Sequence, residues 1–175
     1  MLLKDKIALV TGGGRGIGRD IALTLARHLP HAKVIATDLS PAAIDLAREN
    51  AQRLGVAARL DFRVGSLLEP ISEILDLLTA NLPYIDDKDW PYLAKTIRGH
   101  EPKMAFIGGP DGLDLVRGLL YDAPRVTHPN SLILLEIGAY QGEAVTQVAQ
   151  QNFPEARIEI RPDYAGLDRL AVIEV

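Results

Sequence analysis

With 175 residues, 47% of them apolar, the chain can bury one substantial core, so residues 1–175 are expected to form a single domain. A formal charge of −4 and the lack of any Lys/Arg run argue against nucleic acid as a partner. The absence of cysteine excludes disulfides, thiolate metal sites and cysteine nucleophiles, and fits a cytoplasmic protein. No apolar run reaches the ~18 to 20 residues of a membrane helix and the start lacks a signal-peptide core, so no membrane partner is expected.

In chain order, Ile7–Thr11 reads as a short buried strand and residues 12–18 as a glycine-rich turn. Residues 20–28 follow as a helix whose apolar content is Ile21, Leu23, Leu25 and Ala26. Lys33–Asp38 is the second strand. Ser40 before Pro41 marks a helix start, because serine caps free backbone N–H groups and proline is preset for the first helical position. Ile44, Ala47, Ala51 and Leu54 then share a face. Residues 59–64, 74–80 and 131–137 are predicted as strands three to five, with helices over 112–120 and 142–151. Residues 82–103 form a long, proline-bearing stretch of the kind that is more often functional than idle. At the end, 156–161 and 170–175 are strand-like, and the interval between them is too short for a crossover helix, which predicts a hairpin.

Alternating strands and helices of this kind give an α/β fold: a Rossmann-like doubly wound sheet, mostly parallel, with a C-terminal antiparallel hairpin. The turn after the first strand, Thr11-Gly12-Gly13-Gly14-Arg15-Gly16-Ile17-Gly18, joins strand to helix. In that context glycines admit positive φ and a close approach of phosphate, and the helix N-terminus offers N–H groups to an anion. Asp38 ends the second strand, where a carboxylate accepts both hydroxyls of an adenosine ribose and repels a 2′-phosphate, which favours NAD over NADP. The alternative is a ligand-free turn with a helix-capping aspartate.

Residues 1 to about 20 resemble the opening of short-chain dehydrogenases, whose Thr-Gly-x-x-x-Gly-x-Gly loop is matched at Thr11, Gly12, Gly16 and Gly18. That family also implies a Tyr-x-x-x-Lys pair. The nearest candidate, Tyr92 to Lys95, is one residue short, so no dehydrogenase chemistry is expected.

From about Ile21 onward the chain resembles another family, the S-adenosylmethionine-dependent methyltransferases that modify glutamine N5 in peptide release factors. The resemblance is carried by Asp38-Leu39-Ser40, Asn81-Leu82-Pro83-Tyr84, His100-Glu101-Pro102, residues 108–113, Leu135-Glu136-Ile137-Gly138 and residues 163–169. It implies the sheet order 3-2-1-4-5-7-6, a protein glutamine acceptor, and catalytic roles for Asn81, Pro83 and Tyr84. An amide nitrogen is a poor nucleophile that must be steered. Asn81 Oδ1 and the carbonyl of residue 82 can accept its two N–H bonds while Tyr84 packs on the planar group.

The candidate cofactor-binding residues are Gly12, Gly14, Arg15, Gly16, Ile17, Gly18, Asp38, Leu39 and Ser66, of which Gly12, Arg15, Gly16, Gly18 and Asp38 would take NAD in the dinucleotide reading. Leu82 replaces the family's usual proline but keeps the carbonyl, and Ser66 stands where an acid more often reaches the adenine amino group. The family's first strand also ends in an acid, yet no carboxylate occurs between Lys6 and Arg19, and Arg15 is better suited to pyrophosphate than to a sulfonium. Family members further carry a helical domain that engages the protein substrate. The expectation is therefore a chimera, natural or engineered, of dehydrogenase loop and methyltransferase body, with weak or absent turnover; the alternative is a diverged natural methyltransferase whose loop similarity is coincidental. Two other readings stay open: a module that binds NAD without catalysis, and a stable fold that binds neither cofactor.

Overall fold

A computed structural model describes residues 5–14, 16–28, 31–100 and 102–175. Along the first two strands, β1 (Ile7–Thr11) and β2 (Lys33–Asp38), successive side chains point to opposite faces, and this period of two sorts the core into two halves. Leu9 and Ile35 enter one cluster, while Val10, Val34 and Ala36 enter the other. The second cluster is closed by α1 (Gly16–His28), through Ala22, Leu23 and Ala26, and by Ala51 of α2 (Pro41–Arg53). The first is closed by α4 (Asp114–Asp122) through Val116, Leu119 and Leu120, and by α5 (Gly142–Asn152) through Val145 and Ala149. The helix between them in sequence, α3 (Lys95–His100), is short.

The remaining strands are β3 (Leu60–Val64), β4 (Leu77–Asn81), β5 (Leu132–Glu136), β6 (Arg157–Pro162) and β7 (Asp168–Glu174). They complete one sheet of seven in the order β3-β2-β1-β4-β5-β7-β6, as the family resemblance implied. The first five are parallel, and β7 runs antiparallel to both β5 and β6.

Several boundaries differ from the sequence reading for identifiable reasons. Helix α1 begins at Gly16 rather than residue 20, because Gly18 lies so close to the Gly12 carbonyl that a Cβ would collide with it. The low helix propensity of glycine hides this first turn from a sequence pattern. Strand β4 begins at Leu77 rather than residue 74, since Asp76 turns to accept the backbone N–H of Ile7 at 2.8 Å and the Lys6 ammonium at 2.7 Å. Leu54 is the exposed C-cap of α2, and Val56 takes the buried place expected for it. Gly112, at φ +73, and the non-helical Leu113 delay α4 to Asp114. The stretch 82–103 holds α3 and the 3-10 turn Trp90–Tyr92, neither of which was expected.

An ion network fastens the edge of the sheet. Arg63 on β3 donates to Glu73 Oε2 at 2.8 Å and Oε1 at 2.5 Å, to Asp61 at 2.7 Å and to the Pro70 carbonyl at 2.8 Å. Lys33 adds a 2.8 Å bond to Glu73. These contacts, Arg63 first and Lys33 second, hold the Glu73 carboxyl well below the usual carboxylate range. A depressed pKa stabilises the fold at neutral pH and ceases to do so as pH falls through the folded-state value.

Glu73→Gln is expected to lower stability at pH 7 by about 1–3 kcal/mol and to flatten the acid limb of the stability curve. Denaturant titrations across pH test this, and an unchanged acid limb contradicts it. Leu78→Ala, at a position 1% exposed in the centre of the sheet, is expected to cost about 2–5 kcal/mol by the same measurement. A loss below that range would mean that the two core halves are not tightly joined there.

Candidate functional site at the carboxyl end of the sheet

The chain passes from β1 to β2 on one side and returns after β3 to the other side of β1. At such a reversal the loops leaving neighbouring strands diverge, and a crevice opens at the strands' carboxyl ends. Register makes the arrangement concrete: Thr11 pairs with Thr37, Val10 with Thr79, and Asn81 with Glu136. Gly12, Asp38, Asn81 and Glu136 therefore emerge at one end of the sheet, with Asp38 on one side of β1 and Asn81 on the other.

On the Asp38 side, Gly12 and Gly16 have φ of +61° and +52°, and this turn of the chain requires glycine there. A Cβ on Gly14 would stand 2.7 Å from Asp38 Oδ2 and 2.7 Å from the Ala43 Cβ. The Asp38 carboxylate thus reaches over the loop instead of turning from it, and its other oxygen accepts the Ser40 N–H at 2.9 Å. Ser40 caps α2 as expected, accepting from Ala43 at 3.3 Å.

Gly65 donates its N–H to the Asp38 carbonyl at 3.1 Å, which brings Ser66 to the same rim. The Ser66 N–H donates to Glu69 at 3.2 Å, so a carboxylate absent at position 66 is present three residues on. Ile17 and Leu39 flank the turn with 57% and 55% of their surface exposed. The Thr11 hydroxyl is buried without a hydrogen-bond partner among the described residues.

The glycines of the turn proper are Gly12, Gly13 and Gly14, and Gly16 opens α1. Gly18, also expected on the cofactor side, lies in the first turn of α1, where a Cβ would collide with the Gly12 carbonyl. Arg15, which carried the charge argument for pyrophosphate, lies outside the described residues, as does Glu101 of the His100-Glu101-Pro102 segment.

On the opposite side, Asn81 is half-buried, and its Nδ2 donates to Glu136 Oε2 at 2.9 Å. Leu82 turns its side chain into the core. The half-buried Pro83 and Tyr84 follow, walled by backbone: a Cβ on Gly112 would stand 2.7 Å from Gln141 Nε2 and would collide with the Tyr84 carbonyl. Gln141 staples three loops, accepting from the Gly138 N–H at 2.8 Å and donating to the carbonyls of Tyr84 at 3.0 Å and Asp111 at 3.3 Å.

Sequence reasoning did not single out Gln141 or Glu69, and it listed Glu136 only within a resembling segment. A polar residue at the carboxyl end of an otherwise apolar strand was the available signal for Glu136. Tyr92 is exposed at the end of its 3-10 turn. Among the described residues no group of His, Asp or Glu is placed to hold a metal ion, and no helix is long and apolar enough to cross a membrane.

Comparison with known proteins gives this geometry a context. A family model described as a methyltransferase domain matches residues 10–101. The release factor glutamine methyltransferase of Moorella thermoacetica is 47% identical over 157 residues, 89% of this chain and 55% of that protein. Those of Cereibacter sphaeroides and Enterococcus faecalis are 43% and 38% identical, over 96% and 97% of this chain and 60% and 61% of their own length. The chain thus spans somewhat more than half the length of these curated relatives.

Among solved structures, a ribosomal protein L11 methylase from Lactobacillus delbrueckii subsp. bulgaricus superposes with a TM-score of 0.68 at 19% identity, covering 99% of this chain and 72% of that one. A methyltransferase from Pyrococcus furiosus gives 0.67 at 17% identity, covering 99% and 76%. At those identities the likeness concerns the fold alone. Because the matches run through the glycine turn rather than starting after it, the boundary near residue 20 that a chimera requires has no support. Neither has the NAD alternative. By the match to more than half of its length, the chain belongs to the methyltransferase domain family.

Proposed function

We propose that the chain is the S-adenosylmethionine-binding, catalytic part of a methyltransferase that modifies a protein glutamine on its amide nitrogen. The observation that carries the reading is the Asn81 amide, its Nδ2 held by Glu136 and its oxygen without a hydrogen-bond partner among the described residues, across β1 from a carboxylate laid over a glycine turn. Identities of 38–47% to release factor glutamine methyltransferases support it, and a release factor is the acceptor we propose.

The residues fit the adenosine half of the cofactor. Asp38 reaches over Gly14, in the space a side chain there would fill, which supports a role in accepting from ribose hydroxyls. Leu39 and Ile17 offer exposed apolar surface for a flat base, with Ser66 at the edge. Gly12, Gly14 and Gly16 let the backbone approach, and the Thr11 hydroxyl at the end of β1 has no hydrogen-bond partner among the described residues. When bound, S-adenosylmethionine supplies an electrophilic methyl group on a sulfonium centre.

The acceptor side orients the nucleophile. Asn81 Oδ1 and the Leu82 carbonyl accept the two N–H bonds of the incoming amide, Pro83 stiffens the turn and Tyr84 packs on the planar group. Ordering the amide in this way lowers the barrier without a general base. The net negative charge favours a protein amide over an adenine in nucleic acid. We read the site as competent for turnover, since its acceptor half is complete and the comparisons give no support for inactivity.

Calorimetry with S-adenosylhomocysteine is expected to give saturable binding that Asp38→Ala weakens at least about tenfold, the loss of a charge-assisted contact. Binding of NAD in its place would overturn the assignment. With purified bacterial release factor and S-adenosylmethionine, mass spectrometry is expected to find one methyl group on a glutamine. Asn81→Ala is expected to lower that turnover about a hundredfold or more while leaving S-adenosylhomocysteine binding intact. Full turnover by Asn81→Ala would remove Asn81 from the mechanism.

A further inference from the structure

Asn81 closes β4 directly beside Glu136, which closes β5. Among the described residues, Asn81 is the one side chain hydrogen-bonded to the Glu136 carboxylate, and no Lys, Arg or His forms an ion pair with it. A half-buried carboxylate spent on a neutral amide is a poor stability device, because desolvating the charge costs more than the bond to a neutral donor returns. Such local cost, placed at the mouth of a cleft, points to work done there.

A carboxamide has two ends of nearly equal shape and opposite hydrogen-bonding character, and a half-turn about its last bond exchanges them. An ionised carboxylate only accepts, so it admits the NH2 end alone. From this we infer that Glu136 is a positioning residue that sets the polarity of the acceptor site: by claiming the NH2 of Asn81, it obliges Asn81 to present an oxygen to the substrate. A site built from that oxygen and a backbone carbonyl reads a group with two N–H donors, such as a primary amide, and rejects a carboxylate.

With Glu136 removed, Asn81 rotates freely, and the flipped form sets donor against donor. The inference rests on the reading of Asn81 as the group that orients the acceptor. It adds a residue that never touches substrate yet fixes what the site recognises.

Two substitutions test it. Glu136→Met keeps the bulk and removes the acceptor, and is expected to leave the melting temperature unchanged or raised and S-adenosylhomocysteine affinity within about threefold. Its kcat on release factor is expected to fall roughly ten- to hundredfold. Glu136→Gln retains an oxygen and is expected to stay within about tenfold of the parent. The double variant Asn81→Ala with Glu136→Met is expected to be no slower than Asn81→Ala alone, since both remove one device.

Unchanged kcat in Glu136→Met beside a collapsed kcat in Asn81→Ala overturns this inference and leaves the proposed function standing. Full turnover by Asn81→Ala removes both. A readout independent of turnover is the side-chain NH2 of Asn81 by nitrogen-15 NMR, expected to exchange slowly with solvent in the parent and rapidly in Glu136→Met. Rapid exchange already in the parent overturns the inference.

Discussion

The constraint on which the rest depends is the reversal of direction across β1. With β2 on one flank and β4 on the other, both parallel to it, the loops after β1 and β4 cannot follow the same path, and a crevice at their carboxyl ends results. Parallel register then decides which side chains face one another across it. Asp38 and Asn81 are 43 positions apart in sequence (81 minus 38), yet they stand on opposite sides of a single strand. A slip of one residue in either pairing would turn one of them to the other face of the sheet.

The two ends of the sheet are held by different means. At the amino end, charge does the fastening: Asp76 accepts from Ile7 and Lys6, and its Oδ1 lies 3.2 Å from the ring of His128. Burial pushes the Asp76 carboxyl up, but Lys6, the Ile7 N–H and His128 outweigh it and leave it below the usual carboxylate range. Arg125 ties the carbonyls of Leu68 and Ile71 at 2.9 and 2.7 Å. At the carboxyl end, Arg117 pairs with Asp111 and Arg169 with Asp163, and contacts to the main chain join the loops. Gln141 binds backbone groups of three loops, and Gly108 and Gly112 let backbone touch backbone around Tyr84. Loops held through their main chain leave side chains free to meet a ligand, which suits an end that must bind and release one.

Much of this was legible in the residues. Ile7–Thr11 and Lys33–Asp38 were bounded as observed because buried apolar runs flanked by glycine and proline leave little ambiguity. The antiparallel tail followed from an interval too short for a crossover. Asp38 and the glycine turn were visible because their chemistry is local. What depended on tertiary contact was not. The first turn of α1 is written in glycines, and its reason is an approach to Gly12 that no window of sequence contains. The partnership of Asn81 with Glu136 spans 55 positions (136 minus 81) and exists only once β4 and β5 align. The chimera reading shows a different limit: a short loop motif shared by two nucleotide-binding folds reports the turn both require, not the ancestry of the chain around it.

The central claim is that one crevice holds an adenosine cofactor against Asp38 while aiming its reactive end at Asn81. A crystal structure with S-adenosylhomocysteine tests this most directly. The account predicts ribose hydroxyls on the Asp38 carboxylate, the base between Leu39 and Ile17, and the sulfur pointing toward Asn81. A ligand bound elsewhere, or one in this cleft with Asp38 untouched and its sulfur directed away from Asn81, would contradict it.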